Sequence, residues 1–346
     1  MTNKHIIKGD HIIREAIQRF DELSNDAVLF IVDDENRLLG SLTDGDVRRG
    51  LMHDKNVTDR VQEIMNIEPH KIVDGKINVE EIKSFRENNY KIVPIVDEEN
   101  KVLSFLNFRL QRSILPVDVV IMAGGKGQRL LPLTENTPKP LLKIGEKPVI
   151  EYNIDRLIHF GVKNIYISVN YLGHQIEEYF GDGSSKGINI RYIHENEPLG
   201  TIGAITNVAA FDNDYLMVLN SDLLTNIDFE DFFIDFMAKK ADLSVVGIPY
   251  QVNIPFGVLE MSQEEVVSFK EKPTYTYYSN GGIYLFQRTY HERIPKETFY
   301  NAPDLIDDLI ASNKKVISYP MLGYWLDIGS HSDYSKAKED IKKLSL

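Results

Sequence analysis

The sequence predicts an α/β protein in two parts, a small duplicated unit followed by an open sheet that binds its ligands at the carboxyl ends of its strands. Three observations predict it: an acidic turn motif that occurs twice near the start, an alternation of apolar strands with helical stretches beyond residue 117, and a length of 346 residues, long for one domain and comfortable for two.

The duplication is direct. Ile31-Val32-Asp33-Asp34-Glu35-Asn36-Arg37-Leu38-Leu39-Gly40 is echoed by Ile95-Val96-Asp97-Glu98-Glu99-Asn100-Lys101-Val102-Leu103-Ser104, an offset of 64 between Ile31 and Ile95. Each copy reads as strand, turn, strand. Apolar residues at helical spacing precede each, Ile13, Ile17 and Phe20 in one and Val79, Ile82 and Phe85 in the other, so the expected unit is helix, strand, turn, strand, helix. One such unit buries its faces poorly, and two together do better.

Around Arg112-Ser113-Ile114-Leu115-Pro116 the pattern stops, and the proline marks a break before a new apolar strand at 117–122. The expected division is therefore 1–115, with repeats of about 1–56 and 57–115, and 117–346. In the second part strands are expected at 164–170, 188–193, 214–219 and 243–248, with a helix at 149–160.

Composition removes several function classes. With 42% hydrophobic and 26% charged residues, no apolar run reaches membrane-spanning length, and the first residues lack a leader's apolar core. There is no cysteine, hence no disulfide, thiolate metal site or thiol nucleophile. A cytoplasmic location is expected. A net charge of −13 opposes unspecific attraction to nucleic acid or an anionic membrane, so phosphate binding must be local. The nine histidines have no zinc spacing, and Gly181-Asp182-Gly183-Ser184-Ser185-Lys186-Gly187 reads as a surface turn.

The strand ending at Met122 runs into Ala123-Gly124-Gly125-Lys126-Gly127-Gln128-Arg129, where glycines let backbone N–H groups approach an anion and Arg129 adds a fork of donors. The spacing fits neither a Walker loop nor a dinucleotide fingerprint. It is followed in order by Pro138-Lys139-Pro140, by Asp222, by Glu271-Lys272-Pro273 and by Trp325-Leu326-Asp327-Ile328-Gly329. On these elements nearly all of 117–346 resembles the sugar-1-phosphate nucleotidyltransferases, with Gln128 and Ser221 standing where Thr and Gly are usual.

The resemblance implies a Rossmann-like catalytic domain with a mixed, mostly parallel sheet, and a reaction in which a sugar phosphate attacks the α-phosphorus of a nucleoside triphosphate. It implies that Ala123, Gly124, Gly125 and Gly127 cradle phosphates, that Arg129 holds the departing pyrophosphate, that Lys139 neutralises the α-phosphate and that Lys272 grips the sugar phosphate. Asp222 and Asp327 would share Mg²⁺ through hard oxygen ligands. Gly257, Glu271, Asn280 and Gly282 match sugar-contacting positions, and Tyr171 would close over the sugar or simply pack.

Glu195, in Glu195-Asn196-Glu197-Pro198-Leu199-Gly200-Thr201, stands where uridylyl and thymidylyl relatives generally carry Gln, with Gly200 and Thr201 on the same nucleotide segment. A carboxylate only accepts hydrogen bonds, and guanine offers two adjacent donors, so Glu195 favours GTP. The alternative is a solvent-facing acid.

The first third of the chain resembles a tandem of CBS repeats, a Bateman module, on Gly40-Ser41-Leu42-Thr43-Asp44-Gly45-Asp46 and Val61-Gln62-Glu63-Ile64-Met65. That implies a regulatory nucleotide at Thr43 and Asp46, unless both merely cap a helix. The second repeat has Asn107 and Leu110 at these places, so one such site per chain is expected. The module also implies a homo-oligomer. A repeat pair joined to this catalytic domain resembles the guanylyltransferases of the legionaminic acid route, which implies glucosamine 1-phosphate. Mannose or heptose 1-phosphate, UTP or dTTP, and a catalytically silent nucleotide sensor remain the alternatives.

Overall fold

The computed structural model describes residues 2–344. It divides into two compact units, one running to Leu115 and taking in His159–Gly161, the other comprising Pro116–Ile158 and the chain from Val162.

The first unit contains β1 (Ile6–Lys8), α1 (Ile13–Leu23), β2 (Val28–Val32), β3 (Leu38–Thr43), α2 (Asp44–Met52), β4 (Ile72–Val73), α3 (Val79–Glu87), β5 (Ile92–Val96) and β6 (Val102–Asn107). The strands form two three-stranded sheets, β1-β2-β3 and β4-β5-β6. The repeated acidic turn explains their likeness. Asp33 accepts from the N–H groups of Glu35 (2.9 Å) and Arg37 (2.8 Å), and Asp97 from those of Glu99 (3.0 Å) and Lys101 (2.8 Å). Asn36 and Asn100 take the left-handed region, at φ 65° and 67°. Each then donates to the other repeat, Asn36 to the Val102 carbonyl (2.8 Å) and Asn100 to the Leu38 carbonyl (2.7 Å). Phe30, Val32 and Leu38 of one repeat pack with Ile92, Val96 and Val102 of the other, so the apolar strand faces that one unit leaves open are closed by its copy.

Two details differ from the sequence reading. Ile17 is 39% exposed, because the buried face of α1 runs through Ile13, Ala16 and Phe20. The closing helix is absent from the second repeat, where residues 108–110 form a turn. In the first repeat Thr43 and Asp46 start α2 with a reciprocal capping box. Asn107, in the place of Thr43, donates instead to Asp26 (2.9 Å) and accepts from the Arg109 N–H, and Leu110 offers no carboxylate.

The second unit contains β7 (Val117–Met122), β8 (Lys143–Ile144), β9 (Lys147–Pro148), α4 (Val149–His159), β10 (Asn164–Val169), α5 (Gly173–Phe180), β11 (Asn189–His194), β12 (Tyr215–Asn220), β13 (Leu223–Thr225), α6 (Phe229–Ala238), β14 (Leu243–Asn253), β15 (Val258–Ser262), β16 (Glu265–Lys270), β17 (Thr274–Gln287), α7 (Ala302–Ala311), β18 (Val316–Pro320), β19 (Trp325–Asp327) and α8 (His331–Asp340). Seven strands form the main sheet in the order β11-β10-β7-β12-β17-β14-β18, parallel except where β17 runs against β12 and β14. Every residue of β7 but the last is buried, which accounts for its apolar character; the exception in sequence, Asp118, is buried and accepts from the Asn213 N–H (2.8 Å) and side-chain amide (3.0 Å). No helix among the described residues is long and apolar enough to cross a membrane.

Candidate active site

Parallel pairing of β7 with β10 and β12 sets three strand ends side by side. Just beyond them the Ala123 N–H donates to the Ser168 carbonyl (2.9 Å) and the Ser221 N–H to the Met122 carbonyl (3.2 Å). The glycine loop leaves β7 at this point. Gly127 has φ 61°, and a Cβ there would lie 2.9 Å from Thr134 and 3.0 Å from the Lys139 Cβ. Thr134 closes the loop by donating to the Gly127 carbonyl (2.8 Å). At Gly124 a Cβ would come within 2.9 Å of Glu195 Oε1, so the loop and the acid are in direct approach.

A cleft of about 600 Å³ opens over these ends, lined among others by Gly124, Gly125, Gly127, Glu195, Gly200 and Thr201 of the expected nucleotide set, by Arg129 and Lys139 of the expected catalytic set and by Asp222 of the expected metal pair. Ala123 lies buried beneath it. The Arg129 guanidinium lies against Gly329, whose Cβ, were it present, would be 3.3 Å from both terminal nitrogens. Thus the first and last sequence motifs touch.

The two aspartates meet through a sheet register that spans a hundred residues of chain. β13 pairs antiparallel with β19, Leu223 opposite Asp327, and the Ile328 N–H donates to the Asp222 carbonyl (3.1 Å). Lys139 donates to Asp222 Oδ2. The remaining Oδ1 of Asp222 and Oδ1 of Asp327 are buried with no hydrogen-bond partner, a costly arrangement for acceptors. Burial, reinforced by the Asp222 charge, pushes the Asp327 carboxyl up to about 6, against the pull of Lys139 and Arg129. Two orphaned hard oxygens on neighbouring carboxylates, close to the glycine loop, fit a divalent cation.

A second cleft of about 370 Å³ adjoins the first through Thr201 and Asn220, and Asn280, Gly282, Trp325 and Asp327 line it. Asn280 Oδ1 accepts from the Gly282 N–H (2.9 Å) and the Tyr284 hydroxyl (3.0 Å), which leaves its NH₂ for a ligand. Trp325 donates to the Gly281 carbonyl (2.9 Å).

Lys272, Glu271 and Gly257 line neither cleft. The reason is that β14 and β17 stay paired beyond the main sheet, out to Asn253 opposite Thr274, and carry the β15–β16 hairpin away as a ribbon, with Lys272 and Glu271 exposed in the turn before β17. The Tyr171 hydroxyl donates to the Glu135 carbonyl (2.8 Å), and Tyr171 lines neither cleft.

Glu195 is nearly buried, and among the described residues no cation pairs with it. Ser168 donates to Oε1 and the Leu199 N–H to Oε2 (3.0 Å). Ser168 and Phe299 escaped the sequence reading, because no spacing rule links residue 168 to 195 or residue 299 to either.

In the first unit a cavity of about 700 Å³ is lined by Thr43 and Asp46 together with Arg48, Arg49, His70, Tyr90 and Lys91 from both repeats. Thr43 and Asp46 are therefore cap residues and cavity residues at once.

A CBS-domain family model matches residues 1–53. A nucleotidyl transferase family model matches residues 118–343. Mannose-1-phosphate guanylyltransferase of Mycobacterium tuberculosis is 33% identical over 65% of this chain, and the match spans 64% of that protein. D-glycero-alpha-D-manno-heptose 1-phosphate guanylyltransferase of Aneurinibacillus thermoaerophilus is 30% identical over 65% of this chain and 99% of its own length. The crystal structure of HddC from Yersinia pseudotuberculosis superposes with a TM-score of 0.50 at 30% identity, over 65% of this chain and 99% of that one. Strand-end loop, carboxylate pair and family match fall on the same residues, and from them it follows that this chain belongs to the nucleotidyl transferase family.

Proposed function

We propose that the chain is a sugar-1-phosphate guanylyltransferase that converts GTP and glucosamine 1-phosphate to GDP-glucosamine and pyrophosphate. The observation that carries the transferase reading is the pair of orphaned carboxylate oxygens, Asp222 facing the nucleotide cleft and Asp327 the adjoining one, beside Lys139 and Arg129.

An oxygen of the sugar phosphate attacks the α-phosphorus, and the bond to the bridging oxygen of the β-phosphate breaks, releasing pyrophosphate. Two anions must meet, so the chain's task is to place them and offset their charge. Backbone N–H groups of the glycine loop hold the phosphates, Arg129 takes the leaving pyrophosphate and Lys139 the α-phosphate. Mg²⁺ held by Asp222 and Asp327 supplies positive charge to the phosphate oxygens when bound. Asn280 and Gly282 bind the sugar. Lys272, Glu271 and Gly257, being outside both clefts, are given no step.

Guanine is supported by the unpaired carboxylate of Glu195 and by the guanylyltransferase names of the relatives. Glucosamine rests on the joining of repeats to this domain, whereas those relatives' names favour mannose or heptose 1-phosphate as the second reading. A matrix of GTP, UTP and dTTP against glucosamine, mannose and heptose 1-phosphates, read by product mass, is expected to give its largest kcat/KM for GTP with glucosamine 1-phosphate. A higher value for GTP with mannose or heptose 1-phosphate selects the second reading, and preference for UTP or dTTP contradicts both.

We assign the repeats a regulatory and assembly role, with one nucleotide held by Thr43 and Asp46 in the cavity of the first unit. Asp46→Ala is expected to abolish AMP binding measured by calorimetry. Removal of residues 1–115 is expected to leave transferase activity while lowering subunit number in light scattering. A folded, inactive truncation of unchanged subunit number would contradict this division.

A further inference from the structure

A nucleoside triphosphate laid in the large cleft has its phosphates fixed by the glycine loop, Arg129 and Lys139, which leaves its base at the end lined by Glu195, Pro198, Gly200 and Phe299. Glu195 offers that base a hydrogen-bonding edge. Its flat faces need a broad apolar partner, and the other apolar residues on the lining, Met122, Leu130, Pro140 and Pro198, carry no aromatic ring. Phe299 is the one aromatic side chain on the lining among the described residues. It is 62% exposed, although a phenylalanine gains by being covered.

The ring is also held in register with the edge reader. The Tyr300 N–H donates to the Leu199 carbonyl (2.9 Å), and the Tyr300 carbonyl accepts from Ile202 (3.2 Å) and Gly203 (3.1 Å). Leu199 in turn donates its N–H to Glu195 Oε2 (3.0 Å). Leu199 thus bonds the backbone next to Phe299 on one side and the Glu195 carboxylate on the other, so the ring and the carboxylate keep a common frame.

We infer that Phe299 is the platform on which the nucleotide base stacks, a binding residue that contributes to affinity for any base while Glu195 selects among them. This rests on the reading of the cleft as a nucleotide site. Base–aromatic stacking tolerates any base because every base has a π face.

The test is titration of the full-length chain with GTP, UTP and inorganic tripolyphosphate in wild type, Phe299→Ala and Phe299→Tyr, with subunit number followed by light scattering. Phe299→Ala is expected to raise Kd for GTP and for UTP by about tenfold or more and by similar factors, with tripolyphosphate unaffected and Phe299→Tyr close to wild type. A GTP Kd unchanged in Phe299→Ala overturns the platform, whether or not subunit number falls, and so does an equal loss of tripolyphosphate binding. Wild-type protein that binds neither nucleotide removes the nucleotide reading itself and the platform with it, whereas the other outcomes leave that reading standing.

Discussion

Asp222→Asn and Asp327→Asn are each expected to cut turnover by about 10² or more, the scale on which a preorganised charge-stabilising group acts. Asn keeps the volume and one carbonyl oxygen of Asp and removes the charge. In the folded chain both Asp222 Oδ1 and Asp327 Oδ1 are buried without a donor, and burial, reinforced by the neighbouring Asp222 charge, raises the proton affinity of Asp327. Such an arrangement costs stability, so the Asp327→Asn variant should unfold at the same temperature or a higher one even as turnover falls. Loss of activity with retained stability assigns the pair to chemistry. Near-wild-type rates in both variants would contradict the metal assignment.

Replacing Glu195 by Gln is expected to shift the ratio of kcat/KM for GTP over UTP by about 10² towards UTP, the scale at which a hydrogen-bonding site rejects a mismatched partner. A carboxylate has about four acceptor positions. Ser168 and the Leu199 N–H occupy one on each oxygen of Glu195, and the others are available to the cleft. Guanine's N1–H and N2–H satisfy them; uracil's single donor between two acceptors does not. A Gln amide presents a donor and an acceptor together, and the Ser168 hydroxyl is able to rotate and accept from it. Steady-state rates with each triphosphate check this, and a wild-type preference for UTP would defeat the assignment before any variant is made.

Much of this was legible in the sequence because it is written locally. The strand at 117–122 is apolar at every position but Asp118 since it is buried on both faces, and the acidic turns at Asp33 and Asp97 carry their own hydrogen-bond acceptors. The glycine loop, Lys139, Asp222 and Asp327 lie together as the order of motifs suggests. What was not legible depends on pairing at long range. The antiparallel β13–β19 register that joins the aspartates has no local pattern, and neither does the extension of β14 and β17 that takes Lys272 out of the clefts. Ile17 misled because positions four apart suit a helix face as well as positions three apart, and Ala16 proved the buried choice. In the second repeat the chain makes only the single turn 108–110, where the Asn107 amide bonds Asp26 and Leu110 offers no carboxylate for a capping box.

The most direct measurement is ³¹P NMR of the protein mixed with GTP and glucosamine 1-phosphate, with Mg²⁺ and then with chelator in excess. Equimolar pyrophosphate and a new nucleoside diphosphate-sugar pair of resonances, appearing with Mg²⁺ and absent with chelator, are the predicted result. Orthophosphate from simple hydrolysis, or no change with this or any other sugar 1-phosphate, would contradict the account.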